Sequence, residues 1–196
     1  MNFRKLFVTR ESALYYDITA YQEGCKSWIG GNAPKFFDTG DFFESEDYYF
    51  YLTLQSPINP DKQFSIFTPD FDTALEGNSY PGCKVILIEH TACVQSKNNR
   101  FRHPEIEDIY SIHEIGEDKD CPEKNNVIKF GGKAIPIQWG LDNDGKVTGD
   151  GFDYIFQVNE IGMGDIAAFM SGCVYVYGKV KENNITNLFV AYWEYS

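Results

Sequence analysis

Trp28-Ile-Gly-Gly-Asn-Ala-Pro-Lys-Phe36 is followed by Tyr48-Tyr-Phe-Tyr-Leu-Thr-Leu-Gln55, Phe64-Ser-Ile-Phe67 and Val85-Ile-Leu-Ile88. The second half of the chain answers in the same order. Lys129-Phe-Gly-Gly-Lys-Ala-Ile-Pro136 precedes Tyr154-Ile-Phe-Gln157, Cys173-Val-Tyr-Val-Tyr177 and Leu188-Phe-Val-Ala-Tyr-Trp193. Gly31 to Gln55 is 24 positions and Gly132 to Gln157 is 25, with later differences falling in loops, where insertions are tolerated. The pattern reads as an internal repeat, 28–90 and 129–195, joined by an irregular connection over 91–126.

The strong segments are short, rich in Tyr, Phe, Val and Ile, and bounded by Gly, Pro, Asn and Asp, which marks strands. The expected fold is mainly β, a β-rich α+β domain spanning 1–196. Two sequence-related halves of about four strands each would pack with pseudo-two-fold character. Residues 48–54 are apolar at nearly every position, as in a strand buried on both faces, whereas 173–177 and 188–195 are each expected to cover a core with one face. Short helices are expected over 11–21 and 165–170. Each Gly-Gly pair precedes a proline, Pro34 or Pro136, so the backbone can turn through positive φ and then extend. Neither pair is followed by the Lys and Ser or Thr of a phosphate cradle.

The 196 residues, 43% hydrophobic and 16% aromatic, supply enough apolar side chain for one packed core. No run reaches the length of a membrane helix, and residues 1–10 break too early for a signal segment. The five cysteines are odd in number and scattered, which fits reduced thiols and a cytoplasmic setting. The net charge of −12 disfavours nucleic acid and favours cationic partners. Between Asp38 and Asp47 there are five carboxylates and no Lys or Arg, and between Glu105 and Glu123 eight carboxylates against Lys119 alone.

The second half carries Lys129-Phe-Gly-Gly with Pro136-Ile-Gln138, Tyr154-Ile-Phe-Gln-Val-Asn159, Met163-Gly-Asp165 and Gly172-Cys-Val-Tyr-Val-Tyr177. Over residues 129–193 this resembles the YwqG-like bacterial family of unknown function, and residues 28–88 resemble it more weakly. The N-terminal helical extension associated with that family is shortened or absent here, as are its tryptophans and cysteine pairs near the second corner. The resemblance implies a duplicated, β-rich, cytoplasmic bacterial domain with no established catalytic residues. It also suggests toxin immunity, because relatives lie in genomic settings associated with secreted polymorphic toxins.

Several constellations invite chemistry. Asp38-Thr39-Gly40 and Asp72-Thr73-Ala74 resemble the paired loops of an aspartic protease, although they occupy different places in the repeat, and two Asx turns read them more simply. Cys83, His90, Cys93 and His103 are zinc-ligand types, but only His90 and Cys93 have ligand-like spacing. Asp142-Asn-Asp-Gly-Lys-Val-Thr-Gly-Asp150 fails the calcium-loop pattern and reads as a hairpin or long-loop turn. Cys93 with His103 or His113 is the best reactive pairing, to be formed in space.

The reading these features support is a monomeric, non-enzymatic, cytoplasmic protein-binding module with no cofactor, no metal and no membrane or nucleic-acid partner. Asp38, Asp41, Glu44, Glu46, Asp47, Glu105, Glu107, Asp108, Glu114, Glu117 and Asp118 would meet a basic protein, such as a toxin domain, and occlude it. The alternative is an enzyme or small-ligand binder with its site in the cleft between the halves.

Overall fold

The first strand among the described residues, β1 (Ser12–Ala20), lies where a helix is expected, and it organises the sheet. In this computed structural model, which describes residues 1–43, 48–138 and 142–195, ten strands form one sheet. The others are β2 (Trp28–Gly30), β3 (Tyr49–Gln55), β4 (Lys62–Thr68), β5 (Ile86–Thr91), β6 (Ile109–Lys119), β7 (Ile128–Phe130), β8 (Asp153–Asn159), β9 (Cys173–Lys181) and β10 (Asn184–Glu194). Two short helices, α1 (Phe71–Glu76) and α2 (Asn143–Gly149), complete the regular structure with single helical turns at Arg4–Val8, Lys35–Asp38 and Gly164–Ile166.

The strand order is β10-β9-β8-β7-β1-β6-β2-β3-β4-β5, and every pairing is antiparallel. Four strands of the first segment run outward on one side of the β1–β6 pair, and four of the second run outward on the other. The sheet rolls until β5 and β10 approach within 8 Å between Cα atoms, without hydrogen-bonding as neighbours.

Three of the expectations over 11–21, 91–126 and 142–150 are corrected. Residues 12–16 are buried on both faces, and 14–16 are paired on both edges, so the inside of a sheet overrides local helical preference. The connection 91–126 carries the eleven-residue strand β6, whose far half is exposed and therefore polar. The stretch 142–150 forms α2, capped by Asp142, whose carboxylate accepts from the Gly145 N–H at 3.1 Å, and pinned by the buried Val147. The helix expected over 165–170 reduces to the single turn Gly164–Ile166.

Rolling creates an interior and two outer flanks. Leu14, Leu52, Leu54, Phe64, Ile66, Phe130, Phe156, Val174, Val176 and Trp193 fill the interior, with Leu6 and Phe7 of the first helical turn inserted beside Phe130. Trp28, Ala33, Phe37, Phe50, Phe67 and Phe101 cover the outer flank of the first half. Val147 of α2, Tyr154, Tyr175, Tyr177 and Tyr192 cover that of the second. This two-sided burial explains the largely apolar runs of β3 and β8. It also buries both faces of β9 and of the last part of β10, where one was expected, because α2 and the segment after Gly132 lie over the outer tyrosines.

Both Gly-Gly pairs turn as expected. Gly30, Gly31, Gly131 and Gly132 have φ between 68° and 80°. A side chain at Gly30 would bring a Cβ within 2.1 Å of the Asp108 carbonyl oxygen. Each corner is closed by the residue two places before its glycines: Trp28 Nε1 donates to the Asn32 carbonyl at 3.0 Å, and Lys129 Nζ donates to that of Lys133.

Candidate functional site

The acidic residues divide into two groups. Asp38 ends the turn Lys35–Asp38 and accepts a hydrogen bond from Ser96 Oγ. Arg100 lies 3.7 Å from Asp41 and donates to the Gly40 carbonyl, while Phe43 packs edge-on to Phe101. The segment 96–108 thus runs over the same outer flank as 35–43, and Arg102 ties its far end by donating to the Glu107 carbonyl. Asp38, Asp41, Glu105, Glu107 and Asp108 are all exposed on this half. Glu114, Glu117 and Asp118 are exposed as well, but they occupy the far end of β6, about 30 Å of strand beyond Asp108 at its last members. Glu117 accepts from Ser12 Oγ and the Asn2 N–H there, and the Lys124 ammonium, 2.6 Å away, holds Asp118 below the usual carboxylate range. Glu44, Glu46 and Asp47 lie outside the described residues.

The reactive candidates do not converge. His90 is buried, contacts Ser65 Oγ at 2.8 Å through Nε2 and the Thr91 carbonyl at 2.9 Å through Nδ1, and lies under the stacked Phe36 ring. Burial lowers its pKa, as it does for His103, whose Nδ1 accepts the Glu105 N–H beside Tyr49. His113 is exposed on β6, whereas the Cys93 backbone is clamped to the Gln63 amide through its N–H and carbonyl. Burial pushes the Cys83 thiol up to about 12, against thiolate chemistry. The Ser65–His90 pair escaped the sequence because its members are 25 residues apart on neighbouring strands.

The remaining motifs are used structurally. Asp38 is bonded to Ser96, and Asp72 sits in the first turn of α1, whose N-cap is Asp70. Asp144 accepts from the Tyr177 hydroxyl, so the acidic loop fastens α2 to β9. Among the described residues, no group of three or more His, Cys, Asp or Glu side chains is arranged to hold a metal ion. Among them too, no helix is long and apolar enough to cross a membrane.

Two features went unread. Glu160 is fully buried and accepts from Tyr51 Oη at 2.7 Å and from the N–H groups of Ala168, Phe169 and Gly172. The second is a cavity of about 490 Å³ between the β4–β5 end of the sheet and the start of β10, lined by Lys62, Phe64, Glu89 and Ile185. Cys93, His103 and His113 are not among its lining residues. Only strand register shows that Lys62 faces inward there.

No protein-family model and no curated protein matches this chain.

Proposed function

We propose that this protein is a non-enzymatic acidic binding module that docks a basic protein in a cytoplasmic setting and occludes it, in the manner of an immunity protein. The observation that carries this reading is the outer flank of the first half. There Asp38, Asp41, Glu105, Glu107 and Asp108 stand exposed on two segments knitted together by Arg100 and Ser96, in a chain of net charge −12. Such a surface speeds encounter with a cationic partner and fixes its orientation, while Phe36 and Phe42 beside it offer short-range contact area. Kinship with the YwqG-like family belongs to the same proposal, resting on the corner and strand motifs of residues 129–193.

The test is capture, at low salt, of the protein encoded next door, followed by association kinetics on the purified pair. Neutralising Glu105, Glu107 and Asp108 to the amides should slow association about tenfold with little effect on dissociation, and added salt should mimic it. Kinetics indifferent to both changes would remove the acidic flank from the interface.

A further inference from the structure

Lys62, Phe64 and Ile66 alternate along β4, and Phe64 and Ile66 both belong to the interior, so Lys62 points to the same inner face. Glu89 of β5 stands directly opposite Phe64 and shares that face. The two form an ion pair at 3.6 Å, and each keeps 41% of its side chain exposed. They therefore line the open end of the rolled sheet. Asn184 and Ile185 of β10 bound the other side of the 490 Å³ cavity, with the buried Phe64 and Ile185 offering apolar surface to it.

Inward-facing charge on a terminal strand has a protective use, since it discourages pairing with another chain. That use needs neither two opposite charges nor a cavity with apolar walls. Ligand sites, by contrast, favour the mouths of barrels, where apolar walls supply area and a few polar groups fix orientation.

We propose that this mouth binds a free α-amino acid with an apolar side chain. The ligand carboxylate pairs with Lys62 and its ammonium with Glu89. The short Nζ-to-Oε1 separation suits a head group whose two charged groups are bonded to the same carbon. The ligand side chain displaces water from the half-buried Ile58 and Leu188, which lie with Phe64 and Ile185 in the cavity wall, and the Asn184 amide is at hand for a remaining carboxylate oxygen. This site is independent of the acidic outer flank, and either can fail without the other.

Methyl-resolved NMR of the full chain, titrated with L-leucine and L-phenylalanine, tests it. Saturable shifts at Ile58, Ile185 and Leu188 are expected with at least one of the two. 4-Methylpentanoate and isopentylamine, each lacking one charge of leucine, should bind about tenfold more weakly or worse. Lys62→Met and Glu89→Gln should each weaken the amino acid about tenfold while leaving the methyl spectrum of the free protein folded. Absence of saturable shifts with both amino acids, or equal binding by the singly charged analogues, overturns the proposal. Because the analogue series uses the unaltered protein, it decides the matter even if a variant fails to fold.

Discussion

The Tyr51 hydroxyl donates to the Glu160 carboxylate at 2.7 Å, joining β3 to the turn after β8 through the inside of the molecule. The same carboxylate accepts three backbone N–H groups from 168–172, so one side chain fastens an irregular segment to both halves of the sheet. Buried charge accepted on these terms makes stability sensitive to pH.

Burial raises the Glu160 pKa from 4.5 to about 7, against the lowering effect of its hydrogen bonds. Between those values the folded protein holds a proton that the unfolded chain releases. Its contribution is therefore full below about pH 4.5 and is lost as pH rises through about 7. At about 1.4 kcal/mol per pKa unit, the loss is on the order of 3 kcal/mol. Urea unfolding from pH 5 to 8 should show this decline superimposed on that of other groups, and Glu160→Gln should flatten it. Parallel curves for the two proteins would contradict this account.

Trp193 donates its indole N–H to the Ala74 carbonyl at 3.1 Å and packs against Phe71 and Phe169, linking β10 to α1 and to the segment held by Glu160. Replacing it by alanine leaves a cavity and an unpaired carbonyl, at a cost of about 3–5 kcal/mol. Chemical denaturation followed by circular dichroism measures this directly. A loss below about 1 kcal/mol would show that the site collapses around the smaller side chain.

Two glycines should respond oppositely to alanine. Gly30 has φ of 71° and faces the Asp108 carbonyl, so Gly30→Ala must move backbone and should destabilise by more than about 2 kcal/mol. Gly149 ends α2 with open space around it, and Gly149→Ala should be neutral or stabilise by up to about 1 kcal/mol. Melting temperatures of the pair, measured side by side, distinguish the two effects.

Thiol labelling should follow burial. Cys173 is fully buried with the Gln157 amide against its sulfur, and burial holds both it and Cys83 above the ordinary thiol range. Cys25, Cys93 and Cys121 are only half-buried. Mass-resolved labelling at neutral pH should modify members of the second set first and reach Cys173 only on unfolding. Early modification of Cys173 would mean that the outer layer over β9 opens in the native state.

The Gly-Gly corners and the doubly buried strand β3 were legible because each depends on local chemistry: a left-handed glycine before a proline, or a run apolar at nearly every position. Strand β1 was not, since its Ala and Leu take their conformation from partners far along the chain. The far half of β6 is polar because, among the described residues, β1 alone pairs with it there and its outer surface is wet, and that erases the apolar signature of a strand. Helix α2 contains two glycines and the turn-forming Asn-Asp-Gly, and it persists through the Asp142 cap and burial of Val147. For the sites, exposure of the acidic residues followed from composition. Their division along β6, the Ser65–His90 contact and the inward Lys62 all required register, which no single segment specifies.

The central position of β1 has a consequence for synthesis. Its partners, Ile128–Phe130 of β7 and most of β6, follow roughly a hundred residues later, so β1 leaves the ribosome with both edges unsatisfied. The β2–β5 meander can assemble in the meantime, whereas the junction between the two flanks cannot. A nascent chain of this protein therefore carries an unpaired strand edge from the moment β1 emerges, and a general holding chaperone would be needed most before residue 119 emerges.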